Sequence, residues 1–205
     1  MHIIVTATDD QWNELTQTRS DIDWKRVADT SAFETYNDAA AFFCLTEITS
    51  LEKLKTLDKP VLVNSVNQTL AELWAPANVY RINGWPGFLS RTVWEIAGVP
   101  NAAVGLVFEK LHVKIKWVKD EPGFITARII AMIINEAYFA LEDEVSSKPE
   151  IDTAMKLGTN YPFGPFEWAN LIGVHHIASL LQKLQVKDTR YKPSIQLLKE
   201  SAENN

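Results

Sequence analysis

The sequence predicts an α/β domain followed by an all-α one, and two observations carry that reading. Up to residue 118, short β-branched runs alternate with stretches of helical spacing, the rhythm of a mostly parallel sheet covered on both faces. From Gly123 onward the strand-like runs cease and the apolar spacing is helical almost throughout. A boundary at Lys119–Pro122 follows, giving domains over residues 1–118 and 119–205.

Each element has its own signal. His2–Ala7 is a β-branched strand, and Asp9–Arg19, with an acidic start and helically spaced Trp12 and Leu15, is a helix docked on the sheet. Trp24–Ala28 is a second strand. Ala40–Leu45 and Pro60–Val63 are buried strands separated by a lysine- and leucine-spaced helix at Ser50–Leu57. Asn78–Asn83 and Thr92–Ile96 add two more, and Val113–Val118 closes the series after a helix at Asn101–Leu111.

In the second domain, Phe124–Glu144 is apolar around most of its circumference, so it is expected to be buried by several neighbours or by a second subunit. Ser147-Lys-Pro-Glu150 has capping-box spacing with proline in the first turn, and Gly158 is expected to end the helix Pro149–Leu157. Pro162–Pro165 is a rigid turn. Helices follow at Phe166–Ile172, Val174–Leu184 and Ser194–Ser201, and Ala202–Asn205 is expected to fray.

Composition narrows the function classes. The net charge of −6 supplies no basic footprint, which argues against nucleic acid and anionic membrane surfaces as partners. The single cysteine, Cys44, excludes an intrachain disulfide and points to a cytoplasmic location. Met1–Ala7 lacks the marks of a secretory signal, and Phe124–Leu141 is interrupted by Arg128, Asn135 and Glu136, too polar for a membrane span. His175 and His176 are adjacent and project to different faces, with no cysteine or second acidic cluster beside them, so no metal site is expected.

Three motifs occur in a fixed order: Asp120-Glu-Pro-Gly-Phe-Ile-Thr-Ala-Arg128, Ile151-Asp-Thr-Ala-Met-Lys-Leu-Gly158 and Asn160-Tyr-Pro-Phe-Gly-Pro-Phe-Glu167. Together they resemble the helical second domain of the 3-hydroxyacyl-CoA dehydrogenases, NAD-linked enzymes of fatty-acid oxidation; the likeness is specific over residues 119–185. Upstream, Pro60–Leu70 and Arg81–Ile96 resemble the same family more weakly. The resemblance implies a reduced Rossmann-like domain, then a helical 6-phosphogluconate-dehydrogenase-C-terminal-like dimerisation domain, and hence a homodimer.

The resemblance also marks departures. Setting Glu95 on the family's glutamate without gaps places Asn83 where the family carries its catalytic histidine. An imidazole, with a pKa of about 6.5, takes up the hydroxyl proton as hydride leaves, and an asparagine amide does not. None of the four histidines, His2, His112, His175 and His176, falls in the central part of the first domain. A family asparagine that helps hold the substrate carbonyl corresponds to Ala127. Ser65 matches a serine near the acyl-CoA thioester, with Asn67 beside it, although a Ser-Val-Asn stretch after a strand is usually a turn or helix cap.

On the cofactor side, Val5-Thr-Ala-Thr-Asp-Asp-Gln11 has no glycine where a dinucleotide-binding loop carries Gly-x-Gly-x-x-Gly, and Asp29–Asp38 is too short for the helical insertion that the family has after its second strand. No cofactor-binding residue is assigned, and NAD binds only if this degenerate loop still accepts it. Trp85-Pro-Gly-Phe88 replaces polar family residues with bulk, as a turn with a core tryptophan or as filling for the nicotinamide side. The reading is a divergent relative that lacks standard dehydrogenase catalysis and retains a cleft for an acyl-CoA or related ligand. The alternatives are an active 3-hydroxybutyryl-CoA-type dehydrogenase using Glu95 as base and a purely structural homodimeric module.

Overall fold

The computed structural model describes residues 1–46 and 51–203, which pack as two compact units, Met1–Phe124 and a second beginning at Ile125. In the first unit the strands are β1 (His2–Thr6), β2 (Asp23–Arg26), β3 (Ala41–Cys44), β4 (Val61–Asn64), β5 (Val79–Ile82), β6 (Val93–Ala97) and β7 (Lys114–Trp117). They form one sheet in the order β2-β1-β3-β4-β5-β6-β7, with every pairing parallel except β5 with β6.

Successive strand residues point to opposite faces, so the continuous apolar runs feed two cores. Ile3, Val5 and Phe43 pack with Leu15 of helix α1 (Asp9–Thr16) and Val104, Val107 and Phe108 of α2 (Ala102–Lys110). Ile4, Phe42 and Cys44 pack on the other face with Phe33, Leu51 and Leu54.

That second face is covered by 3₁₀ turns, Thr30–Thr35 and Glu52–Thr56, where a full helix was expected at Ser50–Leu57. Leu51, at the amino end of the second turn, brings no side-chain acceptor to start a longer helix; Ser50 lies outside the described residues. Helix α1 stops at Thr16, short of Arg19, whose guanidinium turns back to donate to the Leu15 carbonyl at 2.8 Å. After β2 the chain runs through Thr30–Thr35 directly into β3, so β2 is the sheet edge among the described residues.

The second unit comprises α3 (Thr126–Glu142), α4 (Lys148–Thr159), α5 (Pro165–Ile172), α6 (Val174–Gln185) and α7 (Ile195–Glu203). The Ser147–Glu150 box forms as expected: the Glu150 carboxylate accepts from the Ser147 backbone N at 3.1 Å and from the Ser147 and Ser146 hydroxyls, each at 2.7 Å. Gly158 does not end α4. The helix passes through it and ends on Asn160 at φ 55°, ψ 34°, a left-handed conformation that asparagine tolerates. Helix α3 buries one face through Ile130, Ala131, Ile134 and Tyr138, while Ile129 on another face is 53% exposed. Among the described residues, no helix is long and apolar enough to cross a membrane.

Candidate functional site

In an open α/β sheet, ligands bind outside the carboxyl ends of the strands, where the connections diverge to opposite sides. Here that switch point lies between β1 and β3, because β1 connects outward to β2 and β2 connects back across to β3. Around it stand the turn Ala7–Gln11, Leu45 after β3, Ser65 after β4 and the pair Asn83–Gly84 after β5.

Local chemistry fills this edge. Thr8 caps α1 with a reciprocal pair: its backbone N donates to Gln11 Oε1 at 3.0 Å, and Gln11 N donates to Thr8 Oγ1 at 3.3 Å. Fixed in this way, the buried Gln11 amide donates through Nε2 to the carbonyls of Leu45 at 3.0 Å and Gly84 at 3.3 Å. Asn64 Nδ2 donates to the same Leu45 carbonyl at 3.2 Å, and Gly84 N donates to Asn64 Oδ1 at 3.0 Å. Beside them Arg26, the last residue of β2, donates to the Ala7 carbonyl through Nε at 3.0 Å and Nη2 at 2.6 Å, and pairs with Asp9 at 2.6 Å.

These residues do not fit a dinucleotide. A pyrophosphate needs glycines for close backbone approach and free N–H groups at a helix start. This turn has no glycine, its Gln11 N–H is engaged by Thr8, and Asp9 and Asp10 place negative charge in the first helical turn. Among the described residues, no group of three His, Cys, Asp or Glu side chains is gathered for a metal ion.

The sequence-predicted residues follow β4 and β5 or lie on β6. β5 and β6 pair antiparallel with Arg81 opposite Ala97 and Ile82 opposite Ile96; the same register carried one residue further sets Asn83 opposite Glu95. β4 and β5 pair Asn64 with Ile82, so the next step places Ser65 beside Asn83. Asn83 is buried and accepts from Trp85 N at 3.2 Å. Glu95 is half-buried and faces Lys116 of β7 in register. The Ser65 hydroxyl donates to the Gln68 carbonyl at 2.9 Å, closing the turn that carries Asn67.

Trp85 and Phe88 are both buried and joined by a turn bond, Phe88 N to the Trp85 carbonyl at 3.1 Å, with Gly87 at φ 86°. Glu14 of α1 holds this segment by accepting from Gly87 N at 2.9 Å and Ser90 N at 3.1 Å. The histidines lie elsewhere: His2 pairs with Asp38, His112 with Asp21, and His175 and His176 open α6.

Sequence reasoning missed Gln11, Asn64, Arg26 and Arg81. The Thr8-x-x-Gln11 spacing was a readable capping signal. Arg81 sits in the apolar strand Val79–Ile82 and gave no clue that it is fully buried.

The family motifs have structural uses. Asp120 receives Arg81 Nη1 at 2.5 Å and the backbone N of Leu70 and Ala71 at 3.0 and 3.3 Å. Gly123 adopts φ 80°, a left-handed value suited to glycine, and donates to the Val66 carbonyl at 2.8 Å. Asp152 of the second motif caps α5, accepting from Phe166 N at 2.8 Å and Glu167 N at 3.2 Å. Glu167 accepts from Gly164 N at 2.9 Å and pairs with Lys156, and the salt-bridged carboxyl is held below the ordinary glutamate range.

Residues 123–205 match the model of the 3-hydroxyacyl-CoA dehydrogenase C-terminal domain. Residues 123–205 thus form a 3-hydroxyacyl-CoA dehydrogenase C-terminal domain. The chain is 47% identical over 78 residues to the 3-hydroxyadipyl-CoA dehydrogenase of Escherichia coli K12, covering 37% of this chain and 16% of that enzyme. It is 43% identical over 76 residues to the 3-hydroxybutyryl-CoA dehydrogenase of Clostridioides difficile, covering 36% of this chain and 27% of that enzyme.

Among solved structures, (S)-3-hydroxybutyryl-CoA dehydrogenase from Ralstonia eutropha superposes with a TM-score of 0.73 over 98% of this chain and 93% of that one; at 17% identity this establishes the fold, Rossmann-like and then helical. The 3-hydroxybutyryl-CoA dehydrogenase of E. coli K12 gives a TM-score of 0.60 at 32% identity, over 72% of this chain and 33% of that one.

Proposed function

We propose that this chain has given up NAD-dependent dehydrogenase catalysis and acts as a homodimeric protein that binds an acyl-CoA or related ligand. The observation that carries the reading is the β5–β6 register, Arg81 with Ala97 and Ile82 with Ile96, whose next step sets Asn83 opposite Glu95. Oxidising a hydroxyl needs a group to take its proton as hydride leaves, with a carboxylate to orient that base. Glu95 stands as the remnant carboxylate, but opposite it is an amide with no basic nitrogen. Residues 1–118 then form a degenerate nucleotide-binding-type domain and residues 119–205 the dimerising one. Ser65 and Asn67 stand on the substrate side, and the single buried cysteine suits the cytoplasm.

The similarity to a 3-hydroxyadipyl-CoA and a 3-hydroxybutyryl-CoA dehydrogenase favours a CoA thioester as ligand. For the dimer, the exposed side of α3 is the natural contact: Ile129, Met132 and Ile133 line a groove with Tyr191.

The test is NADH oxidation with acetoacetyl-CoA on the purified protein, beside thermal shift with acetoacetyl-CoA. The expected result is stabilisation by the ester without turnover. Turnover on the order of one per second or faster would overturn the loss of catalysis. An Ile129→Asp variant, read by light scattering, is expected to be monomeric; an unchanged dimer would remove α3 from the interface.

A further inference from the structure

We infer that this chain fills its own dinucleotide crevice: the Gln11 and Asn64 amides clasp the switch point of the sheet, and Arg26 seals the turn beside it, making the crevice a structural lock. The proposed loss of catalysis rests on a missing base, whereas the lock concerns binding and stands on separate residues.

Gln11 is only 8% exposed, and its amide bonds backbone groups of three segments: Thr8 after β1, Leu45 after β3 and Gly84 after β5. Asn64, the last residue of β4, adds a second amide on the Leu45 carbonyl and accepts from Gly84 N. The carboxyl ends of four strands are thereby tied by two side chains. A ligand entering here would have to displace both and leave the Leu45 and Gly84 carbonyls unsatisfied.

The place of glycine supports the same conclusion. A dinucleotide site uses missing side chains to admit phosphate. Here the glycine next to the crevice is Gly84, where an added Cβ would lie 2.8 Å from Asn64 Cγ, so the absent side chain admits the chain's own amide. Charge agrees: Arg26, beside the turn, already commits Nε and Nη2 to the Ala7 carbonyl and Nη1 to Asp9, the chain's own acceptors.

The experiment is a calorimetric titration of the intact protein with NADH, NADPH and ADP, together with urea unfolding of Gln11→Met, Asn64→Leu and the double variant. We expect no saturable nucleotide binding up to millimolar concentration. Each single variant is expected to raise the unfolded-to-folded ratio about tenfold, with the double variant raising it by less than the product because the amides share one carbonyl. Saturable micromolar binding of any of the three nucleotides would overturn the lock. So would variants that unfold like the parent, since the amides would then not be holding the strand ends. NADH binding without turnover would sink the lock and leave the proposed function standing; turnover would sink both.

Discussion

Arg81, on β5 with no exposed surface, donates to Asp120 at 2.5 Å from the segment that follows β7. The same guanidinium donates to the carbonyls of Ser65 at 2.8 Å and Val66 at 3.1 Å and lies over the Phe124 ring, while burial lowers its pKa despite the carboxylate beside it. One buried cation thus ties β5, the turn after β4 and the first family motif into a single cluster.

Breaking this pair from one side is expected to be costly, because a buried charge is left without its partner. Asp120→Asn should lower unfolding stability by about 3 kcal/mol. Arg81→Met in the same background should recover part of that loss by removing the stranded charge. Urea unfolding of the two variants measures both effects; a stable Asp120→Asn protein would show the pair to be dispensable.

Gly164 and Asp152 form a second unit of this kind. A Cβ on Gly164 would lie 2.4 Å from Asp152 Cβ, so the carboxylate caps α5 only because residue 164 has no side chain. Gly164→Ala is expected to melt well below the parent, and much less so in an Asp152→Gly background, where only the cap, about 1 kcal/mol, is lost. Melting curves of the single and double variants give the coupling.

Acid should weaken the start of α4. Hydrogen bonds from Ser147 and then Ser146 hold the Glu150 pKa down from 4.5 to about 2. A depressed carboxylate contributes stability above its ordinary pKa and loses it as pH falls through the folded-state value. Glu150→Gln should therefore flatten the pH dependence of the unfolding midpoint between pH 4.5 and about 2 while leaving other regions of the curve unchanged.

On the proposed reading, a histidine at position 83 should not by itself confer dehydrogenase chemistry. Asn83→His places an imidazole opposite Glu95, yet the Gln11 and Asn64 amides still span the crevice. NADH oxidation with acetoacetyl-CoA is expected to stay at the uncatalysed rate. A rise of even a hundredfold, the scale of general base catalysis, would mean that nucleotide still enters.

Much of this was legible in the sequence, for identifiable reasons. Ile3-Ile4-Val5 announced a strand buried on both faces, and Ser147–Glu150 announced a helix start, because strand burial and capping are local. Gly158 misled because glycine marks helix ends only where the chain turns, and Asn160 supplied that turn two residues later. The register that sets Asn83 opposite Glu95 depends on β6 running antiparallel to β5, which no local signal encodes. Gln11 read as a helix residue because its partners, Leu45 and Gly84, are 34 and 73 positions away. Arg81 was hidden in the same way: its acceptors lie between 15 and 40 residues away, and a lone charge in an apolar strand ordinarily signals a solvent-facing position.

Ending the sheet at β2 creates a hazard of its own. An outermost strand presents unpaired backbone groups that another chain can use as a template for growth. Here that strand is short and carries Asp23 and Lys25 at exposed positions, so an approaching strand would have to strip water from two charges. The trimmed domain is protected against stacking edge to edge with its own copies, and replacing those charges with valine or isoleucine should turn a well-behaved protein into one that aggregates while its interior remains intact.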